Sequence, residues 1–91
     1  MSEIINYRNG IYVFHSPDCW TCQDHLENFE KSFKDFVLIN VEGDRKFFEN
    51  IGVTLVPHTR VYKDGEIIYE ETGMLFDKQI EELKKVLWFM L

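Results

Sequence analysis

Apolar residues along this chain switch between short continuous runs and helical spacing, and the switches mark out the elements. Ile11-Tyr12-Val13-Phe14 follows an Asn9-Gly10 turn signal and is uninterrupted, the pattern of a central strand covered on both faces. Ser16-Pro17-Asp18 breaks it. From Cys19 onward Cys22, Leu26, Phe29 and Phe33 recur at three- and four-residue steps, with Gln23, Asp24, Glu27, Asn28, Glu30 and Lys31 between them, which predicts one buried helical stripe. Phe36 to Val41 reads as a second buried strand, ended by Gly43-Asp44. Asp44 is placed to cap a short helix carrying Phe47, Phe48 and Ile51, with Gly52 as its stop. Thr59 to Lys63 and Glu66 to Glu71 flank Asp64-Gly65, a strong local signal for a β-hairpin. Phe76, Ile80, Leu83, Leu87 and Leu91 mark a last helix over the sheet, with Asp77 near its start and Lys84 and Lys85 toward its end, as the helix dipole prefers.

The order is β-α-β-α-β-β-α, an α/β arrangement with a mixed four-stranded sheet flanked by helices. At 91 residues, 45% hydrophobic and 15% aromatic, the chain can build one core, so residues 1–91 are read as a single domain. The formal charge of −6 argues against nucleic acid or an anionic membrane surface as partner, because phosphate binding needs clustered Lys and Arg. There is no basic and apolar leader pattern and no run long enough to span a bilayer, so a soluble, cytoplasmic protein is expected.

Chemistry concentrates at Cys19-Trp20-Thr21-Cys22. These are the chain's two cysteines, so no secreted-type disulfide framework is available. A pair three apart, after a core strand and at a helix opening, reads as a redox dithiol that needs no cofactor beyond its own disulfide. Cys19, at the amide end of the helix, is the expected nucleophile; Cys22 points inward and resolves the mixed disulfide. Two other readings stay open on these residues: a metal site using His15 or His25 with the sulfurs, and a binding module in which the dithiol is incidental.

The strand and helix order, the dithiol after the first core strand, and the segment Gly52-Val53-Thr54-Leu55-Val56-Pro57-His58-Thr59-Arg60-Val61-Tyr62-Lys63-Asp64-Gly65-Glu66 together resemble the thioredoxin family over about Ile11 to Leu87. The resemblance implies a thiol–disulfide oxidoreductase that reduces or exchanges protein disulfides. It implies a cis Pro57 lying against the disulfide, with Val56 and Pro57 holding the substrate backbone and Gly73 leaving room for it. It further implies electrons from a flavin-dependent thioredoxin reductase and a recipient such as ribonucleotide reductase. A glutaredoxin-like protein is the nearby alternative, but the Gly-Gly-x-Asp segment of glutaredoxins has no counterpart in Gly73-Met74-Leu75-Phe76-Asp77. The chain also departs from thioredoxins. The family's Trp-Cys-Gly-Pro-Cys is here Asp18-Cys19-Trp20-Thr21-Cys22, its buried carboxylate falls at Val13, and that carboxylate's lysine neighbour falls at Leu38. The family's first strand and helix shrink to about ten residues, leaving Ile4, Ile5 and Tyr7 for at most a short edge element.

Several residues carry a functional and a plain reading side by side. His58, one past Pro57, either stabilises the Cys19 thiolate or is an ordinary strand histidine. Asp18 either opposes that thiolate or caps the helix, the cap being favoured. Trp20 is expected to be an exposed rim for protein substrates. His15 and His25 are expected to be a strand-end residue and a solvated helix residue. Val86 to Leu91, all apolar, are expected to wrap over the core, with Trp88 or Phe89 outside the stripe.

Overall fold

The computed structural model describes residues 9–90. The elements are β1 (Gly10–His15), α1 (Trp20–Ser32), β2 (Val37–Asn40), α2 (Arg45–Asn50), β3 (His58–Lys63), β4 (Glu66–Thr72) and α3 (Asp77–Met90), in the expected order. The proposed edge element at Ile4, Ile5 and Tyr7, and Leu91, lie outside the described residues. The sheet runs β2-β1-β3-β4, with β1 and β2 parallel and the other two pairings antiparallel. Helix α1 makes the crossover that the parallel pair requires. The β3–β4 turn uses Asp64 at φ 54° and Gly65 at φ 80°, positive at both central positions as a tight hairpin demands.

Alternation along the strands divides the core into two layers. Ile11, Val13 and Val61 pack with Phe29 and Phe33 of the α1 region and Leu75, Ile80 and Leu83 on the α3 side. Tyr12, Phe14, Ile39 and Tyr62 pack on the other face with Val41, Phe48 and Val53. Strand β1 is buried on both faces as its run of apolar residues implies. The segment expected to be a second buried strand is, among the described residues, an edge: in β2 only Ile39 is buried, while Val37 and Leu38 are exposed. An edge strand covered by one layer needs only alternate residues to be apolar, so a continuous apolar run overstates its burial.

Two helix stripes also differ from the expected ones. The buried face of α1 is Cys22, His25 and Phe29, with Leu26 only half-buried. A histidine one turn from Cys22 therefore takes an interior place assigned on hydropathy to leucine, and it can do so because its polar atoms find partners there. At the other end, Phe76 precedes α3 and is 65% exposed, its N–H donating to Gln79 Oε1 at 3.1 Å. Leu87 packs on the core and Val86 is half-buried, whereas Trp88 and Phe89 are both exposed, so among the described residues the expected wrap goes no further than Leu87. Asp44 caps α2 as expected, Oδ1 accepting from Phe47 N–H at 3.3 Å.

Strand β3 is buried along nearly its whole length although it begins His58-Thr59-Arg60. On the α2 face, Glu70 of β4 collects the donors. Its Oε2 accepts from Arg60 Nε at 2.8 Å, Arg60 Nη2 at 2.6 Å and His58 Nε2 at 2.8 Å. Arg60 Nη1 donates to Tyr62 Oη at 3.0 Å, and the guanidinium lies over the Phe14 and Tyr62 rings at 5.6 and 5.8 Å. Burial pushes the Glu70 carboxyl up, but the hydrogen bonds and charges of Arg60 and His58 outweigh it and hold the group below its ordinary value.

Glu70→Ala removes the acceptor of a guanidinium that is 1% exposed. Breaking a fully buried pair costs about 3–5 kcal/mol. Glu70 itself is 40% exposed, so water can reach the orphaned cation, and we expect a loss of about 2 kcal/mol by denaturant unfolding. A change within ±0.5 kcal/mol would show the network to be energetically idle.

Stability should also fall below neutral pH. Burial lowers the pKa of His15, His25 and His58 from 6.5, with Glu70 partly opposing the effect at His58. Below pH 6.5 the unfolded chain takes up protons that the folded protein refuses, so stability is complete above that value and lost as pH falls through the lowered folded values. Denaturant midpoints should be lower at pH 5 than at pH 7; a flat profile would contradict the histidine environments described.

Candidate active site

The dithiol is placed by the end of the central strand. After His15 the chain turns through Ser16-Pro17-Asp18, and Cys19 N–H closes the turn on Ser16 O at 3.1 Å. Ser16 Oγ donates to Glu42 Oε1 at 2.7 Å, and Val41 N–H donates to His15 O at 2.9 Å, so the loop after β2 braces the loop after β1. Cys19 itself is the N-cap of α1, with extended φ −95° and ψ 108°, and its Sγ accepts from Cys22 N–H at 3.2 Å. The favoured placing of Asp18 as the cap is thus corrected by one residue. A sulfur can take that position because the capping role needs only a side-chain acceptor in reach of the first-turn amides.

Cys19 and Cys22 form a disulfide with Cα atoms 5.2 Å apart. Cys22 is 3% exposed, on the inward face of α1, while Cys19 is half-buried. With the disulfide closed, the Thr21 hydroxyl, 3.3 Å away, is the donor toward Cys19 Sγ. The Val56 carbonyl oxygen lies 3.8 Å from the same sulfur. Val56-Pro57 is a cis peptide bond, and Pro57 O accepts from Gly73 N–H at 2.7 Å. Gly73 adopts φ +95° and a Cβ there would meet nothing within 4 Å, so backbone conformation calls for glycine and the space beside it is open. Trp20 is 88% exposed next to Cys19.

When the disulfide is reduced, Cys19 Sγ sits at the amide end of a 13-residue helix with no acidic residue in its first turn. Oriented N–H groups and the dipole there favour a thiolate. Cys22, behind it in the apolar layer, gains nothing comparable.

His58 is not brought to this sulfur. Its ring packs on Phe14, on the α2 face of the sheet, with Nε2 at Glu70 and Nδ1 3.0 Å from Thr72 Oγ1. Alternation decided this: β3 pairs Phe14 with His58 and Val13 with Thr59, so the residue directed toward α1 is Thr59. The expected tuning of Cys19 by His58 is corrected accordingly.

The buried histidine on the α1 side is His25, expected to be solvated. Its Nδ1 accepts from Leu75 N–H at 3.4 Å, its Nε2 lies 3.3 Å from Thr59 Oγ1, and its ring lies 5.4 Å from Phe29. The signal was available as spacing, three after Cys22 and four before Phe29, but hydropathy alone gave Leu26 the place. His25 is thus turned to β3 and the β4–α3 loop, and among the described residues no group of three or more His, Cys, Asp or Glu is arranged to hold a metal ion. Val13, paired with Leu38, is in the core.

No protein-family model matches the sequence, and no curated protein matches it. Solved structures do match. Thioredoxin 1 of the thermophilic eubacterium Thermosipho africanus is similar at TM-score 0.71 and 18% identity, over 87% of this chain and 94% of that one. Thioredoxin f of spinach chloroplast is similar at TM-score 0.72 and 17% identity, over 93% and 83%. Mitochondrial thioredoxin 3 of Saccharomyces cerevisiae, in its oxidized form, is similar at TM-score 0.63 and 22% identity, over 97% and 84%. The chain has the thioredoxin fold, with a CxxC pair at the start of the helix that follows its central strand. No helix among the described residues is long and apolar enough to cross a membrane.

In the reduced protein we expect iodoacetamide to modify Cys19 at least about ten times faster than Cys22 at pH 7, by mass spectrometry of the alkylated peptides, because one sulfur is reachable at the helix end and the other is buried. Equal rates would remove the basis for assigning the two roles.

Proposed function

We propose that this protein is a thiol–disulfide oxidoreductase of the thioredoxin kind, acting on disulfides in other proteins. The observation that carries the reading is the position of Cys19 Sγ: at the N-terminus of α1, beside the Val56 carbonyl and cis Pro57, with Cys22 directly behind it. The Cys19 thiolate attacks one sulfur of a substrate disulfide, forming a mixed disulfide and expelling the other substrate sulfur as a thiolate that takes up a proton. Cys22 loses its proton and attacks Cys19 Sγ, closing the intramolecular disulfide and releasing the second substrate thiol. Two electrons pass to the substrate, and the protein is left oxidised.

Val56 presents backbone to an extended substrate segment, and Pro57 and the open space at Gly73 leave it room. The exposed Trp20, and Leu55 just before Val56, offer apolar area that suits a protein surface better than a small disulfide. The dithiol is its own redox group, so no further cofactor is required. Recharging falls to a flavin-dependent thioredoxin reductase, and an enzyme such as ribonucleotide reductase is a fitting recipient, in a cytoplasmic setting where thiols are kept reduced.

Reduction of insulin disulfides, with dithiothreitol as electron source, tests the activity. Wild type should accelerate precipitation of the insulin B chain, Cys19→Ser should abolish the effect, and pre-reduced Cys22→Ser, mixed with insulin after dithiothreitol is removed, should accumulate a mixed disulfide visible on a non-reducing gel. Wild type no faster than dithiothreitol alone would overturn the assignment.

A further inference from the structure

The loop between β4 and α3 is tied to α1 through one residue. Leu75 N–H donates to His25 Nδ1 at 3.4 Å, and Leu75 O accepts from Asn28 Nδ2 at 3.5 Å. Two side chains one turn apart on α1 thus take both backbone polar groups of a residue that is itself buried in the core. Each bond is at the long end of the range, so the hold comes from the pair together with the buried Leu75 side chain.

His25 can serve only in one form. Because Nδ1 accepts, the ring proton is on Nε2 and is donated to Thr59 Oγ1, which fixes the imidazole on β3. A proton added at Nδ1 would set two donors against each other at Leu75. The groups packed on the ring are uncharged: Phe29 from α1, Thr59 from β3 and the Leu75 backbone from the loop. His58, Arg60 and Glu70 form their network on the opposite face of the sheet. Burial lowers the pKa of His25, with no contribution from a charged neighbour, so the accepting form prevails at neutral pH.

What this loop borders gives the contact its meaning. Two residues before Leu75, Gly73 N–H is bonded to Pro57 O, and Val56, before Pro57, has its carbonyl beside Cys19 Sγ. A closed circuit therefore runs from Cys19 through Val56, Pro57, Gly73 and Leu75 to His25 and back along α1 to Cys22. The Cys19–Cys22 disulfide closes it, and the His25 and Asn28 bonds are the side-chain links between the loop and α1.

We propose that His25 and Asn28 form a clamp that positions the Gly73–Leu75 wall of the substrate cleft against the dithiol helix, so that a protein segment entering beside Pro57 meets a preformed slot. They are positioning residues. The inference rests on the oxidoreductase reading for its functional consequence, while the clamp itself can be observed without turnover.

The full-length protein is tested as wild type, His25→Leu, His25→Gln and Asn28→Ala. Gln offers a neutral acceptor to Leu75, whereas Leu offers none. Amide hydrogen exchange should show Leu75 protected in wild type and His25→Gln, and exchanging at least about tenfold faster in His25→Leu and Asn28→Ala. With insulin as substrate, the unclamped variants should show KM raised about threefold or more, with a smaller effect on kcat, and His25→Gln should recover most of the loss. As pH is lowered from 7 toward 5, any rise in wild-type KM should be absent in His25→Gln, which has no proton to take up at this position. Asn28 is only partly buried, so Asn28→Ala remains informative if His25→Leu fails to fold. Unchanged Leu75 exchange in Asn28→Ala, or KM values that match wild type across this pH range, would overturn the clamp. A wild type inactive on insulin but with Leu75 exchange responding as described would instead overturn the oxidoreductase reading and leave the clamp standing.

Discussion

Strand β3 is buried on both faces and yet opens with three polar side chains, and most of the architecture around the site follows from satisfying them. A buried guanidinium, imidazole or hydroxyl without a partner costs more than a packed methyl group contributes. His58 and Arg60 are therefore tied to Glu70 on one face, and Thr59 to His25 on the other. The first set of bonds fixes the end of β4 against the start of β3. The second fixes α1 across β3. Pro57 lies at the point where both begin.

The dithiol inherits its geometry from that arrangement. Cys19 is held from below by the turn closed on Ser16 and from the side by the segment leading into β3, whose position is set by the buried polar residues that follow it. Cys22 is held by the buried face of α1. One sulfur is reachable at the amide end of a helix and the other is screened by the core, which is the asymmetry that directional disulfide exchange requires. His25 and His58 each have both ring nitrogens engaged. Neither is a free base beside the sulfurs, and each contributes by holding backbone or strand in place.

Much of this was legible in the residues. Periodicity located every described strand and helix in order, because the switch between continuous apolar runs and helical spacing reflects how each backbone presents its side chains. Asp64-Gly65 marked its turn because both positions need positive φ. The spacing of Cys19 and Cys22 marked the chemistry, since a disulfide across one helical turn needs no long-range information. Four of the differences share one cause. Leu26 against His25, the cap at Asp18 against Cys19, burial of Phe36 to Val41, and Phe76 in the last stripe were all judged from hydropathy or local preference alone.

Local sequence by itself determined what depends on neighbours along the chain: element type and order, the hairpin turn, the cap at Asp44, and a thiol pair at a helix opening. Only the tertiary structure decided what depends on partners far apart in sequence. Whether a histidine is buried turns on whether another strand or loop supplies its hydrogen bonds. Which face of β3 meets α1 turns on the register that pairs Val13 with Thr59 and Phe14 with His58. A shift of one residue in that register would exchange the two faces, placing His58 toward the dithiol helix and Thr59 away from it. No property of either residue taken alone contains that choice.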